Sequence, residues 1–142
     1  MNILFDTNIV LDVLLNRQPH VALSAKLMRA VENKQITGYL CATTITTLDY
    51  LLSKASSQRK ARTALQQLLG LFEIAGVDKR VIDLSMQSKF DDFEDAVQYY
   101  SGECCGVAGL VTRNIKDYKP ARLPVYLPNE LLAQLALLRS PN

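Results

Sequence analysis

The chain has 142 residues, of which 49% are hydrophobic and 21% charged, with a formal net charge of +2 at pH 7; these values fit one domain with a core of its own and exclude disorder as the overall description. No apolar stretch is long and uncharged enough to suggest a bilayer span, since even the run from Ile36 to Leu48 carries five threonines. Three cysteines, an odd count with Cys104 and Cys105 adjacent, point to a reducing and therefore cytoplasmic setting, and the first residues lead directly into a strand rather than a basic signal region.

Asn2-Ile-Leu-Phe5 reads as a short buried strand that stops at Asp6-Thr7-Asn8, before an apolar helical run over 9–15. A second helix over 21–33 ends at Asn33 and Lys34, a strand follows over 37–41, and Thr43 or Thr44 is placed to cap a helix over 44–54. Ser56 or Ser57 opens a helix over 57–71 that Gly70 closes, a strand covers 72–75, and Asp78 caps a helix over 79–88. Asp91-Asp92-Phe93-Glu94-Asp95 places four acids in five residues at the front of a helix over 93–104. Gly109-Leu-Val111 is a strand that stops at Thr112-Arg113-Asn114, with Asp117 close behind. A last strand spans 124–127, and Pro128-Asn129 opens a helix over 129–138 whose Leu131, Leu132, Leu135 and Leu138 form one apolar stripe. Strands separated by helices return in the same direction, so the order predicts an α/β fold with a parallel sheet, and no linker divides the unit 1–142.

In an open parallel sheet the C-terminal strand ends face one crevice, so Asp6 and Asp117 are expected on the same edge. A carboxylate ending a buried strand is costly unless paired or bound to metal, although Asp6 or Asn8 also suits a plain helix cap. Asp92 and Asp95 share a helix face while Glu94 points elsewhere; both also fit a cap and a first-turn acid. Alone, Asp117 reads as a solvated acid among lysines. As a set these acids suit Mg²⁺ or Mn²⁺, hard cations that take oxygen ligands and promote phosphodiester hydrolysis. Cys–His zinc chemistry lacks its ligands, and the single histidine, His20, sits after Pro19 in a loop. Two basic clusters, Lys54, Arg59, Lys60 and Arg62, and Arg113, Lys116, Lys119 and Arg122 around Asp117, suit a polyanion, or else a solvated helix face.

Three segments carry a family resemblance: Asp6-Thr7-Asn8-Ile9-Val10-Leu11-Asp12, Asp92-Phe93-Glu94-Asp95-Ala96, and Val111-Thr112-Arg113-Asn114-Ile115-Lys116-Asp117-Tyr118. In that order and spacing they resemble a PIN domain of the VapC-like type over essentially the whole chain. The resemblance implies a PIN-like three-layer α/β/α fold with a central parallel sheet, and an acidic pocket that binds Mg²⁺ or Mn²⁺ for cleavage of single-stranded RNA. It implies that Asp6, Asp95 and Asp117 are the catalytic acids, with Asp92 as a frequent additional metal ligand. Asn8, Thr112 and Asn114 become supporting polar residues, and Arg113 and Lys116 candidate RNA contacts. A small antitoxin protein and a homodimer are the partners it implies.

One family acid, early in the helix after the second strand, is missing from its place. Aligning Tyr50-Leu51-Leu52 with the family pattern puts Thr47 there and leaves Asp49 two residues on, as a weaker metal ligand. At about 100° per residue the two cannot both face the pocket. The alignment favours Thr47, while helical geometry leaves both at the margins of the apolar face.

The reading is a metal-dependent endoribonuclease, the toxin of a toxin–antitoxin pair. The alternative is a PIN-fold RNA-binding or protein-interaction module that has lost cleavage. An Asp-nucleophile phosphatase is disfavoured, because Asp6-Thr7-Asn8 lacks an aspartate two residues after the first. If the reading holds, Asp6, Asp95 and Asp117 meet within about 8 Å, the spread that one shared ion permits.

Overall fold

In a computed structural model, residues 1–139 are described; the last three of the expected unit, 140–142, lie outside the described residues. The elements are β1 (Asn2–Phe5), α1 (Thr7–Leu14), α2 (Val21–Glu32), β2 (Thr37–Cys41), α3 (Ala42–Ala55), α4 (Gln58–Leu69), β3 (Glu73–Ala75), α5 (Lys79–Gln87), α6 (Phe93–Cys105), β4 (Gly109–Val111), a 3-10 helix (Ile115–Tyr118), β5 (Val125–Tyr126) and α7 (Pro128–Arg139). The strands form one parallel sheet in the order β3-β2-β1-β4-β5. The expected parallel α/β/α architecture is the one found.

The alternation of β1 divides the core between two layers. Ile3 and Phe5 join the cluster with Ile9, Leu27, Leu48, Leu65 and Leu131 on the side of α1 to α4 and α7. Leu4 faces the opposite way, into the cluster with Tyr99, Leu110 and Tyr118 beneath α6. There α6 approaches the sheet closely: a Cβ on Gly102 would lie 2.9 Å from Leu4 Cδ2.

Caps follow the sequence in the middle of the chain. Ser57, Asp78 and Asp92 each accept a bond from the backbone N–H three residues on, and Gly106, at φ 87°, ends α6 in the left-handed conformation that glycine favours. Around the crevice the expectations change. Helix α3 begins at Ala42 rather than at Thr44, so neither Thr43 nor Thr44 is its cap. Residues 115–118 form a 3-10 turn that periodicity did not reveal, since four residues carry no period.

The strand order reverses at β1. From it the chain steps outward through β2 to β3, then returns to pair β4 on the other side. The crevice beyond the carboxyl ends of β1 and β4 is therefore the topological switch point, where open parallel sheets bind ligands.

Candidate functional site

Asp6 ends β1 at that switch point. Its backbone occupies the N-cap position of α1, but its side chain makes no capping bond. The carboxylate instead accepts from Thr112 Oγ1 at 2.6 Å and from Gln98 Nε2 at 3.2 Å. With only 7% of its surface exposed, its carboxyl is pushed above the usual carboxylate range by burial, and the Thr112 and Gln98 bonds pull the other way.

Gln98, absent from the residues expected at the site, joins its walls. Its Oε1 accepts from the Thr7 backbone N–H (3.1 Å), the Thr7 hydroxyl (3.2 Å) and the Thr44 hydroxyl (3.2 Å). Its Nε2 donates to Asp6 and, at 2.7 Å, to the Tyr118 hydroxyl. A backbone N–H can only donate, so the Thr7 contact dictates which end of the amide meets Asp6. Gln98 lies three residues beyond Asp95, on the same face of α6. A lone amide in the otherwise apolar and aromatic run Ala96-Val97-Gln98-Tyr99 was the available signal.

Asp95 stands one turn earlier, half-buried, and receives the Tyr118 hydroxyl at 3.4 Å. Its carboxyl is pushed up to about 7, first by burial and then by the negative charges of Asp92, Asp6 and Asp117. The same surroundings, burial foremost and then Asp6 and Asp95, raise the Tyr118 hydroxyl, which stays protonated as a donor. Four acids from three separate stretches of chain thus influence one another, and none is in an ion pair among the described residues.

Asp117 is carried on the exposed 3-10 turn, whose first bond runs from Asp117 N–H to Asn114 O at 3.1 Å. Asn114 contributes its backbone N–H to Thr112 Oγ1 (3.0 Å), and Asn8 is half-buried inside α1. The two uncertain positions on α3 diverge. Thr47 Oγ1 lies 3.4 Å from Glu94 Oε1, beside the front of α6, whereas Asp49 accepts from Arg62 Nε at 3.0 Å on the α3–α4 face.

Half of the residues in the two basic clusters are engaged within the chain. Arg62 pairs with Asp49, Arg122 with Glu103, and Lys54 lies over the Tyr50 ring at 4.9 Å. Arg113, one of the candidate RNA contacts, directs Nε and Nη2 onto the buried carboxylate of Asp12, at 2.8 and 3.2 Å. A desolvated acid on α1 outcompetes solvent for it, and sequence separation hid the pair. Lys116 and Lys119 are exposed and make no ion pair among the described residues.

In kind, the donors fit a hard divalent cation: they are carboxylate and hydroxyl oxygens, and no cation pairs with Asp6, Asp92, Asp95 or Asp117 among the described residues. In spacing they are open, since no three His, Cys, Asp or Glu side chains among the described residues are close enough together to hold an ion. Asp6 is held by its bonds to Thr112 and Gln98, whereas Asp92, Asp95 and Asp117 are the more exposed of the four acids.

An oxygen-lined acidic crevice at the switch point of a parallel α/β/α sheet places the chain among α/β proteins that bind ligands at the carboxyl ends of their strands. It belongs to the PIN domain family, whose model matches residues 2–116. PIN domains are generally nucleases and generally use divalent metal ions. Among solved structures the fold is similar to VapBC2 from Rickettsia felis bound to a promoter DNA fragment, with TM-score 0.70 and 17% identity over 89% of this chain and 98% of that one. A toxin–antitoxin complex from Klebsiella pneumoniae is similar at TM-score 0.65 and 22% identity over 88% and 96% of the two chains. FitAB bound to an IR36 DNA fragment is similar at TM-score 0.70 and 19% identity over 89% and 94%. No curated protein matches the chain in sequence.

Proposed function

We propose that this chain is an endoribonuclease acting on single-stranded RNA, and that it is the toxin of a pair neutralised by a small antitoxin protein. The observation that carries the nuclease reading is the gathering of acids from three stretches of chain at the sheet's switch point, where Gln98 and Tyr118 link Asp6 to Asp95 and the Asp95 carboxyl is raised first by burial and then by the charges of Asp92, Asp6 and Asp117. Mg²⁺ or Mn²⁺ would be held by Asp6, Asp95 and Asp117, with Asp92 at the rim, and would supply an activated water and charge neutralisation at the phosphate. Thr112 and Gln98 aim Asp6, and Tyr118 orients Asp95. Asn8, Asn114 and Thr47 line the approach, and Lys116 meets the RNA phosphates. Asp49, engaged by Arg62, stands outside the ligand set.

Toxin–antitoxin complexes among the structural neighbours support the toxin role. Self-association is assigned to the α3–α4 face, where a cleft of about 550 Å³ is lined by Ile45, Leu65 and Leu69. The second reading, a PIN-fold module that binds without cutting, draws on the hydroxyl of Thr47 where the family resemblance expects an acid.

Cleavage of labelled single-stranded RNA separates the two. The wild-type chain should cut with Mg²⁺ or Mn²⁺ and stop on chelation, Asp6→Asn should lose about 10³-fold or more, and Asp49→Asn should remain within about twofold. RNA that binds but stays intact with every divalent ion would favour the binding module. For the toxin role, expression of the chain alone should arrest growth of its host, and co-expression of its antitoxin should restore it. Normal growth at high expression of a cleavage-competent chain would remove the toxin reading and leave the nuclease.

A further inference from the structure

Asp12 is a charge that the acidic site does not use. It is fully buried on α1, six residues after Asp6, and takes the guanidinium fork of Arg113 from 101 residues away: Nε to Oδ2 at 2.8 Å and Nη2 to Oδ1 at 3.2 Å. Ser24 Oγ donates to the same Oδ2 at 3.5 Å, and Arg17 Nη1 stands 3.9 Å from Oδ1. Arg113 directly follows Thr112, whose hydroxyl donates to Asp6 at 2.6 Å and accepts from Asn114 N–H at 3.0 Å. The chain leaving β4 is thus tied to the β1–α1 segment at two successive residues, Thr112 to Asp6 and Arg113 to Asp12.

A buried ion pair is weak evidence for stability, because desolvation consumes much of its attraction. What a two-point fork supplies is geometry, since it restricts rotation as well as distance. We infer that Asp12 and Arg113 are positioning residues, a clamp that sets Thr112 against Asp6 and fixes where the turn bearing Asp117 leaves the sheet. The inference rests on the proposed nuclease reading and assigns Arg113 to aiming rather than to phosphate binding. With a single-point contact the loop gains freedom, and a displacement of about 1 Å at a reacting group lowers rate by roughly 10²-fold.

The test uses the whole chain and Arg113→Lys, which keeps the charge and loses the fork. Thermal melting checks folding, steady-state cleavage of single-stranded RNA separates kcat from KM, and Mn²⁺ titration without RNA reports the ion site by the paramagnetic signal of free Mn²⁺. The expected result is a folded protein with kcat down about 30- to 100-fold, KM within about twofold, and Mn²⁺ affinity about 10-fold weaker. Asp12→Asn combined with Arg113→Gln replaces both charges by a hydrogen-bonding amide pair; it should recover any lost melting temperature while kcat stays low. A variant that melts lower but keeps wild-type kcat and Mn²⁺ affinity would reduce the pair to a stability element and overturn the inference. A loss confined to KM would also overturn it, by showing Arg113 on the RNA. A wild-type chain that neither cuts RNA nor binds Mn²⁺ would remove the nuclease reading and the clamp with it.

Discussion

Asp95→Asn should abolish cleavage and at the same time make the metal-free protein more stable. Carboxylates that share one ion act as a unit, so losing Asp95 should cost on the order of 10³-fold or more in rate. Its effect on the fold has the opposite sign. The folded carboxyl is pushed up to about 7 from the usual 3.8, so the folded state holds its proton more tightly than the unfolded state does. Stability from this group is therefore complete below about pH 4 and is lost as pH rises through about 7. After allowance for solvent screening of a half-exposed group, the relief of its burial and of the repulsion from neighbouring acids is about 1–2 kcal/mol. Asparagine at this first-turn position forgoes roughly 0.5 kcal/mol of interaction with the helix dipole, so relief wins by about 1 kcal/mol. In metal-free buffer at pH 8 the variant should melt about 3–5 °C above wild type, and the gap should close toward pH 4. Saturating Mg²⁺ or Mn²⁺ should raise the wild-type melting temperature and leave the variant unmoved. A variant melting at or below wild type across this range would mean that the acids around Asp95 are not in conflict.

Gln98→Leu should damage both fold and activity. The substitution leaves the Thr7 N–H without its acceptor, the Thr44 hydroxyl with only the Thr7 hydroxyl at 2.9 Å, and Asp6 and Tyr118 without their shared donor. Buried polar groups stranded in this way cost about 1–3 kcal/mol each; with water reaching some of them, the loss should be roughly 3 kcal/mol in a denaturant titration. Cleavage should fall by about 10²-fold even at temperatures where the variant is fully folded, because Asp6 and Tyr118 are no longer held to one another. Gln98→Glu separates aiming from packing: it preserves the shape and the contacts to Thr7 and Thr44, but sets a second carboxylate 3.2 Å from Asp6 in place of a donor. It should bind Mn²⁺ with altered affinity and cut as poorly as the leucine variant. Near wild-type cleavage by either protein would show that the amide only fills space.

Local chemistry made much of this chain legible. Short apolar runs ending at Asp6 and Thr112, with helices between them, required a parallel sheet, and that sheet placed both residues on one edge whatever their separation. Ser57, Gly70, Asp78 and Asp92 mark helix ends because caps are matters of a few adjacent residues. What stayed hidden involves choices among partners distant in sequence. A periodicity of about 3.6 residues leaves Thr47 and Asp49 equally marginal on α3, and it is the packing of α4 that gives Arg62 to Asp49 and leaves Thr47 beside Glu94. Arg113 looks like a free cation among lysines until α1 brings the desolvated carboxylate of Asp12 against it. Gln98 looks like an ordinary helical residue until four elements close around its amide. The sequence alone determined the layers, the strand ends and the presence of an acidic crevice, since each follows from local pattern and chain direction. Only the tertiary structure decided which polar groups face one another there, because in a buried site the cost of an unpaired charge or amide selects the partner, and that selection runs across the whole chain.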